Sequence, residues 1–105
     1  MFVAAYWWKV HLGKEAQFRA AWRRGTELIA GKYGSLGSRL HWDEREHRFI
    51  GVAEWPDRAT WQAAYDAKMA YDDPETRRAF VEAVADAADE PLLLMEVTDD
   101  LLTRG

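Results

Sequence analysis

Residues 2–10, Phe2-Val3-Ala4-Ala5-Tyr6-Trp7-Trp8-Lys9-Val10, decide the fold. Both alternating sets are apolar: Phe2, Ala4, Tyr6, Trp8 and Val10 on one, Val3, Ala5 and Trp7 on the other. Successive strand side chains point to opposite faces, so this run is a central strand that needs cover on both sides. His11-Leu12-Gly13 breaks it. From Lys14 to Ala30 the apolar residues Phe18, Ala21, Trp22, Gly25, Leu28 and Ile29 recur at helical steps. Gly31 or Gly34 is available for the left-handed position that closes such a helix.

Ser35–Asp43 and His47–Trp55 read as two strands joined by the charged turn Glu44-Arg45-Glu46. Pairing Glu44 with His47 sets Asp43 against Arg48, His41 against Ile50, Leu40 against Gly51 and Leu36 against Trp55. This register gathers Leu36, Ser38, Leu40, Trp42, Phe49, Gly51, Ala53 and Trp55 on an apolar face. Arg39, His41, Ile50, Val52 and Glu54 fall on the other, mixed face. Pro56 ends the strand and Asp57 caps a helix with the stripe Trp61, Ala64, Tyr65 and Met69. Asp73-Pro74-Glu75 starts another helix, with Phe80, Val81, Val84 and Ala88 as its inner stripe and Pro91 as its stop. Leu92–Val97 is the closing strand, and the tail 98–105 is expected to be a turn fading into disorder.

The order is strand, helix, strand, strand, helix pair, strand, in one domain covering residues 1–105. Short connections and right-handed crossovers predict a ferredoxin-like α+β sandwich, an antiparallel sheet carrying its helices on one face. Val3, Trp7, Ile50 and Val52 are then left on the open face, too much apolar surface for a monomer. A homodimer packed through that open sheet face is the expected cover.

Composition narrows the function. The net charge of −4 and pI near 5.3 argue against nucleic-acid or anionic-membrane binding. The chain has no cysteine, which excludes disulfides, thiolate metal sites and cysteine nucleophiles. No export signal or membrane-spanning apolar run is legible, so a cytoplasmic protein is expected. Six tryptophans in 105 residues exceed what a core this small can surround with aliphatic packing. Several should line a concave ligand site or a subunit contact.

These residues resemble a known family. Tyr6-Trp7-Trp8-Lys9-Val10-His11-Leu12-Gly13-Lys14-Glu15 followed by Phe18 is similar to the strand-to-helix entry of antibiotic biosynthesis monooxygenase domains. Gly34-Ser35-Leu36-Gly37-Ser38-Arg39-Leu40-His41 resembles their second strand, and Val52-Ala53-Glu54-Trp55-Pro56-Asp57-Arg58-Ala59 their third strand and helix start. Val97-Thr98-Asp99-Asp100-Leu101-Leu102 is a further likeness to a small bacterial branch. The resemblance implies a dimeric α+β barrel with a pocket inside each protomer, between sheet and helices. It also implies a cofactor-independent monooxygenase acting on a small aromatic or polyketide-like substrate. The alternative is a non-catalytic ligand-binding or interaction dimer of the same fold.

Haem-degrading relatives resemble one another in a first-strand asparagine and a helical histidine ligand; here Tyr6 takes the asparagine's place, and His11, His41 and His47 fall on strands or turns. The same histidines lack metal-ligand spacing, and no nucleophile motif surrounds Ser35 or Ser38. Neither a metal nor another cofactor is therefore expected. Oxygenation without one needs only water exclusion, ring orientation and anion stabilisation, because the deprotonated substrate supplies the electrons. Trp8, Trp61, Tyr65 and Tyr71 are the expected substrate-binding residues, with the segment Ala70–Asp73 closing the pocket. Trp22 and Trp55 are expected to pack the core. Tyr6, His41 and Arg39 are the candidate catalytic groups, His41 as base and Arg39 holding the anion. In the competing reading Arg39 pairs with Glu54 across a dimer barrel and has no catalytic part.

Overall fold

Strand β1 (Phe2–Val10) lies at the centre of a five-stranded antiparallel sheet. The computed structural model describes residues 1–103, so the last two positions of the tail lie outside the described residues. Helix α1 (Glu15–Tyr33) follows, then the hairpin β2 (Gly37–Asp43) and β3 (Arg48–Trp55). Helices α2 (Arg58–Asp66) and α3 (Pro74–Ala83) precede two short strands, β4 (Val84–Ala87) and β5 (Leu93–Glu96). The sheet order is β2-β3-β1-β4, with β5 also paired to β1. This is the ferredoxin-like arrangement.

Each boundary has a local cause. Gly34 ends α1 at φ 82°, and its N–H reaches the Ala30 carbonyl; Gly31 stays inside the helix. Side chains of Asp57 and Asp73 accept the Thr60 and Thr76 backbone N–H groups and so cap α2 and α3. The hairpin register matches the parity argument: Asp43 opposes Arg48, His41 opposes Ile50 and Leu40 opposes Gly51.

The chain departs from expectation after α3. The predicted helix to Pro91 stops at Ala83, and Val84 turns into extended backbone. Residues Val84–Ala87 pair instead with Trp8–Val10 at the free edge of β1, while β5 pairs with Phe2–Ala5 of the same edge. The two short strands are halves of one edge strand, interrupted by residues 88–92. Alanine-rich sequence favours helix, but an unpaired edge of a central strand offers a continuous ladder, and tertiary pairing overrides propensity here.

Phe2, Ala4, Trp55, Trp61 and Ala64 form the buried core between sheet and helices. A second aromatic group adjoins it: Phe18 packs on Trp8, Phe49 and Phe80, with ring centroids 5.6, 5.0 and 5.3 Å away. The open face carries Trp7, over which the Arg48 guanidinium stacks at 5.2 Å while Asp43 holds it by a 3.0 Å ion pair. Leu93 and Met95 on β5 remain exposed there.

Candidate functional site

The helix-side floor of the sheet is uneven. Small residues Ala53, Ser38 and Gly51 lie between the bulky side chains of Tyr6 and Trp8 and that of Trp55. Gly51 is required where it stands, because a Cβ there would meet Trp8 ring carbons at 2.9 Å. Above this floor opens a cavity of about 860 Å³, large enough for a fused-ring ligand. Its walls include Tyr6, Trp8, Trp22, Trp55, Tyr65, Met69, Tyr71 and Phe80.

Tyr6 is the polar centre of the wall. Trp61 Nε1 donates to the Tyr6 hydroxyl at 2.8 Å, and the hydroxyl's own proton has no acceptor among the described residues. Burial pushes the Tyr6 phenol above its ordinary pKa; the Trp61 hydrogen bond opposes this and nearby Tyr65 adds to it. Tyr6 is therefore a neutral donor at physiological pH rather than a base. Tyr6 and Trp8 rings lie 6.3 Å apart, and Tyr65 stacks on Trp61 at 5.0 Å.

Tyr71 reaches the cavity across Gly25, where an added Cβ would touch its hydroxyl at 3.2 Å. Burial raises the Tyr71 pKa too, opposed by the Arg77 cation and reinforced by Asp73. The connection from α2 to α3 turns through left-handed Lys68 and Met69, at φ 57° and 51°. The Tyr33 hydroxyl ties it down by donating to the Ala70 carbonyl at 2.5 Å. Lys68, Met69 and Tyr71 of this connection lie on the cavity wall.

Several expected site residues are thus brought together, and others are not. Tyr6, Trp8, Tyr65 and Tyr71 share the cavity wall. Trp61 does not line it. Its indole is 2% exposed, wedged between Phe2 and Tyr65 in the core, and it acts on the cavity through Tyr6. Arg39 and His41 are a correction. Tyr6 is in line with Gly51 and Leu40, whereas His41 is in line with Ile50 and Trp7, so His41 and Arg39 sit on the opposite sheet face. His41 Nδ1 lies 3.4 Å from the Ile50 carbonyl, and neither residue can join Tyr6 in one site. Trp22 and Trp55, expected only to pack, line the cavity as well.

Arg77 and the segment Ala88–Pro91 are wall residues that sequence reasoning missed. Arg77 carries no pattern that separates it from neighbouring helix charges, and Ala88–Pro91 enters the wall only because the edge strand is interrupted. Among the described residues no group of three or more histidines or carboxylates could hold a metal ion. No helix of the described residues is long and apolar enough to cross a membrane.

No protein-family model matches the chain, and no curated protein sequence matches it. Solved structures do. A provisionally named antibiotic biosynthesis monooxygenase from Bordetella bronchiseptica is similar at 22% identity and a TM-score of 0.61, over 95% of this chain and 97% of that one. SnoaB, a cofactor-independent oxygenase from Streptomyces nogalater, is similar at 15% identity and a TM-score of 0.63, over 95% of each chain. Another provisionally named antibiotic biosynthesis monooxygenase, from Deinococcus radiodurans, covers both chains fully at 13% identity and a TM-score of 0.65. The chain has the fold of these proteins over at least 95% of its length.

Proposed function

We propose that the protein is a cofactor-independent monooxygenase of the antibiotic biosynthesis type, acting on a small aromatic or polyketide-like phenol or enol. The observation that carries this reading is the aromatic cavity whose one deep hydroxyl, on Tyr6, is held by Trp61 with its proton left to donate. A ligand enolate seated on the floor meets that donor as its charge develops.

The chemistry balances on the substrate alone. A ring methylene flanked by activated rings loses a proton to solvent water, and the carbanion combines with dioxygen to form a carbon–oxygen bond. Protonation gives a hydroperoxide, and loss of water leaves a carbonyl. The methylene is oxidised, one oxygen atom stays on carbon, and the other leaves as water. Tyr6 holds the oxyanion and supplies a proton to the departing oxygen.

Within this reading the protein works as a homodimer through the open sheet face. Support comes from Leu93 and Met95, which are 50% and 39% exposed beside the Val3 and Ala5 positions of β1. The test is oxygen uptake and product mass with a panel of hydroxynaphthalenes and anthrones. Stoichiometric uptake with quinone formation is expected. Stoichiometric flavin or haem on the purified protein would overturn the cofactor-free reading. Tight binding without uptake would make the protein a ligand-binding dimer instead.

A further inference from the structure

The edge of the sheet is broken beside Tyr6. Trp8 of β1 pairs with Ala87 and Ala5 with Leu93, so Tyr6 and Trp7 face residues 88–92 across that edge. Five residues oppose two, three more than a continuous antiparallel ladder takes. Backbone pins both ends of the insertion. The Ala88 N–H donates to the Trp7 carbonyl at 3.4 Å, and the Leu92 N–H donates to the Ala5 carbonyl at 2.7 Å. The surplus is therefore Asp89-Glu90-Pro91. Neither the Asp89 nor the Glu90 side chain has a hydrogen bond or ion pair among the described residues.

The same segment stands where the cavity meets solvent. Along α1 the wall residues Ala21 and Gly25 are buried, and Trp22 and Ile29 are half-buried. On the flank beside the broken edge, Val81 is 57% exposed, and Ala87, Asp89 and Glu90 are exposed with it. Helix α3 packs along α1, whereas α2 and α3 scarcely touch, so the cavity is not roofed between them. The connection from α2 to α3 borders the same mouth but is latched. Tyr33 holds its Ala70 carbonyl, Asp73 reaches Arg24 at 3.7 Å, and Tyr71 lies against Gly25. Of the two segments only the insertion lacks side-chain ties, and segments held by few contacts open most readily.

We propose that the insertion Asp89-Glu90-Pro91 is the port of the cavity, through which a flat ring system passes over the broken sheet edge to reach Tyr6. This rests on the cavity being the ligand site, as proposed above. In an uninterrupted strand Leu92 would pair with Tyr6, share its face and stand in that path. The three extra residues keep the path clear.

The probe is a dihydroxyanthraquinone, followed by stopped-flow quenching of tryptophan emission, since Trp8 and Trp22 line the cavity. Ala87 is exposed on the same face as Trp8, so Ala87→Phe narrows the port without removing a backbone hydrogen bond. It should slow association and dissociation together, each about tenfold, and change Kd little. Deleting residues 89–91, which joins Ala88 to Leu92 in register, should also slow association. Tyr33→Phe, which frees the α2–α3 connection, should leave both rates at their wild-type values. Wild-type rates in Ala87→Phe, faster dissociation alone in that variant, or quicker association in Tyr33→Phe each overturn the port and leave the cavity reading intact. If the deletion does not fold, as read by circular dichroism, Ala87→Phe and Tyr33→Phe decide. A probe that does not bind the wild-type protein overturns the port and the cavity reading together.

Discussion

Tyr6 owes its role to an environment rather than to its type. Tyr6 is part-buried like Tyr71, while Tyr65 is exposed, and the Tyr6 oxygen already accepts from Trp61. Tyr6→Phe should therefore lower kcat for a confirmed substrate with little change in fold, read by steady-state oxygen uptake beside circular dichroism. The same burial links Tyr6 to stability. Its folded pKa is raised above the ordinary 10.0, so the contribution is complete below that value and is lost as pH rises through the folded pKa. Denaturant melts above pH 10.0 should show the wild type losing stability with pH more steeply than Tyr6→Phe. Gly51→Ala tests the floor. Its Cβ would sit 2.9 Å from Trp8, so the indole must swing into the cavity, at a cost of about 1–3 kcal/mol in unfolding free energy and with weaker ligand binding.

At the scale of elements, the caps of α2 and α3 were readable because Asp57 and Asp73 stand at the start of helical patterns. Hydrogen bonds from Thr60 and Thr76 hold both carboxyls below the usual aspartate range. Their stabilising effect is present above the ordinary value of 3.8 and is lost as pH falls through the folded pKa values. Asp73→Ala should lower the melting temperature at neutral pH, and the gap to wild type should close below pH 3.8. It should also loosen the Tyr71 connection, since Asp73 lies within 3.7 Å of Arg24 on α1. The hairpin register was readable for the same reason as the caps: turn and parity are local. The end of α3 was not, because Val84-Ala85-Asp86-Ala87 suits a helix and becomes a strand only beside the empty edge of β1.

For the whole molecule, the exposed apolar residues concentrate late in the chain, with Leu93, Met95 and Val97 all at least 37% exposed. Together with Trp7 and Val52 they mark the face on which a second copy is expected. Val52→Asp should shift the protein from dimer to monomer by light scattering at micromolar concentration, while Leu12→Asp, on a 98% exposed loop residue, should leave the assembly unchanged. A wild-type protein that is monomeric at that concentration would defeat the dimer.

The amino-acid sequence alone determined the doubly apolar first strand, the hairpin register, both aspartate caps and the aromatic character of one sheet face, since each depends on neighbours within a few residues. It also placed Tyr6, Trp8, Tyr65 and Tyr71 as candidates for one wall. Only the tertiary structure decided which aromatics border space and which fill it. Trp61 and Trp55 have the same composition signal, yet the Trp61 N–H is spent on Tyr6 and that of Trp55 is not. The sheet likewise decided that an alanine-rich helix end becomes an edge strand. Those outcomes turn on contacts between residues far apart in the chain, where the geometry of the pleat and the supply of unpaired backbone outweigh local preference.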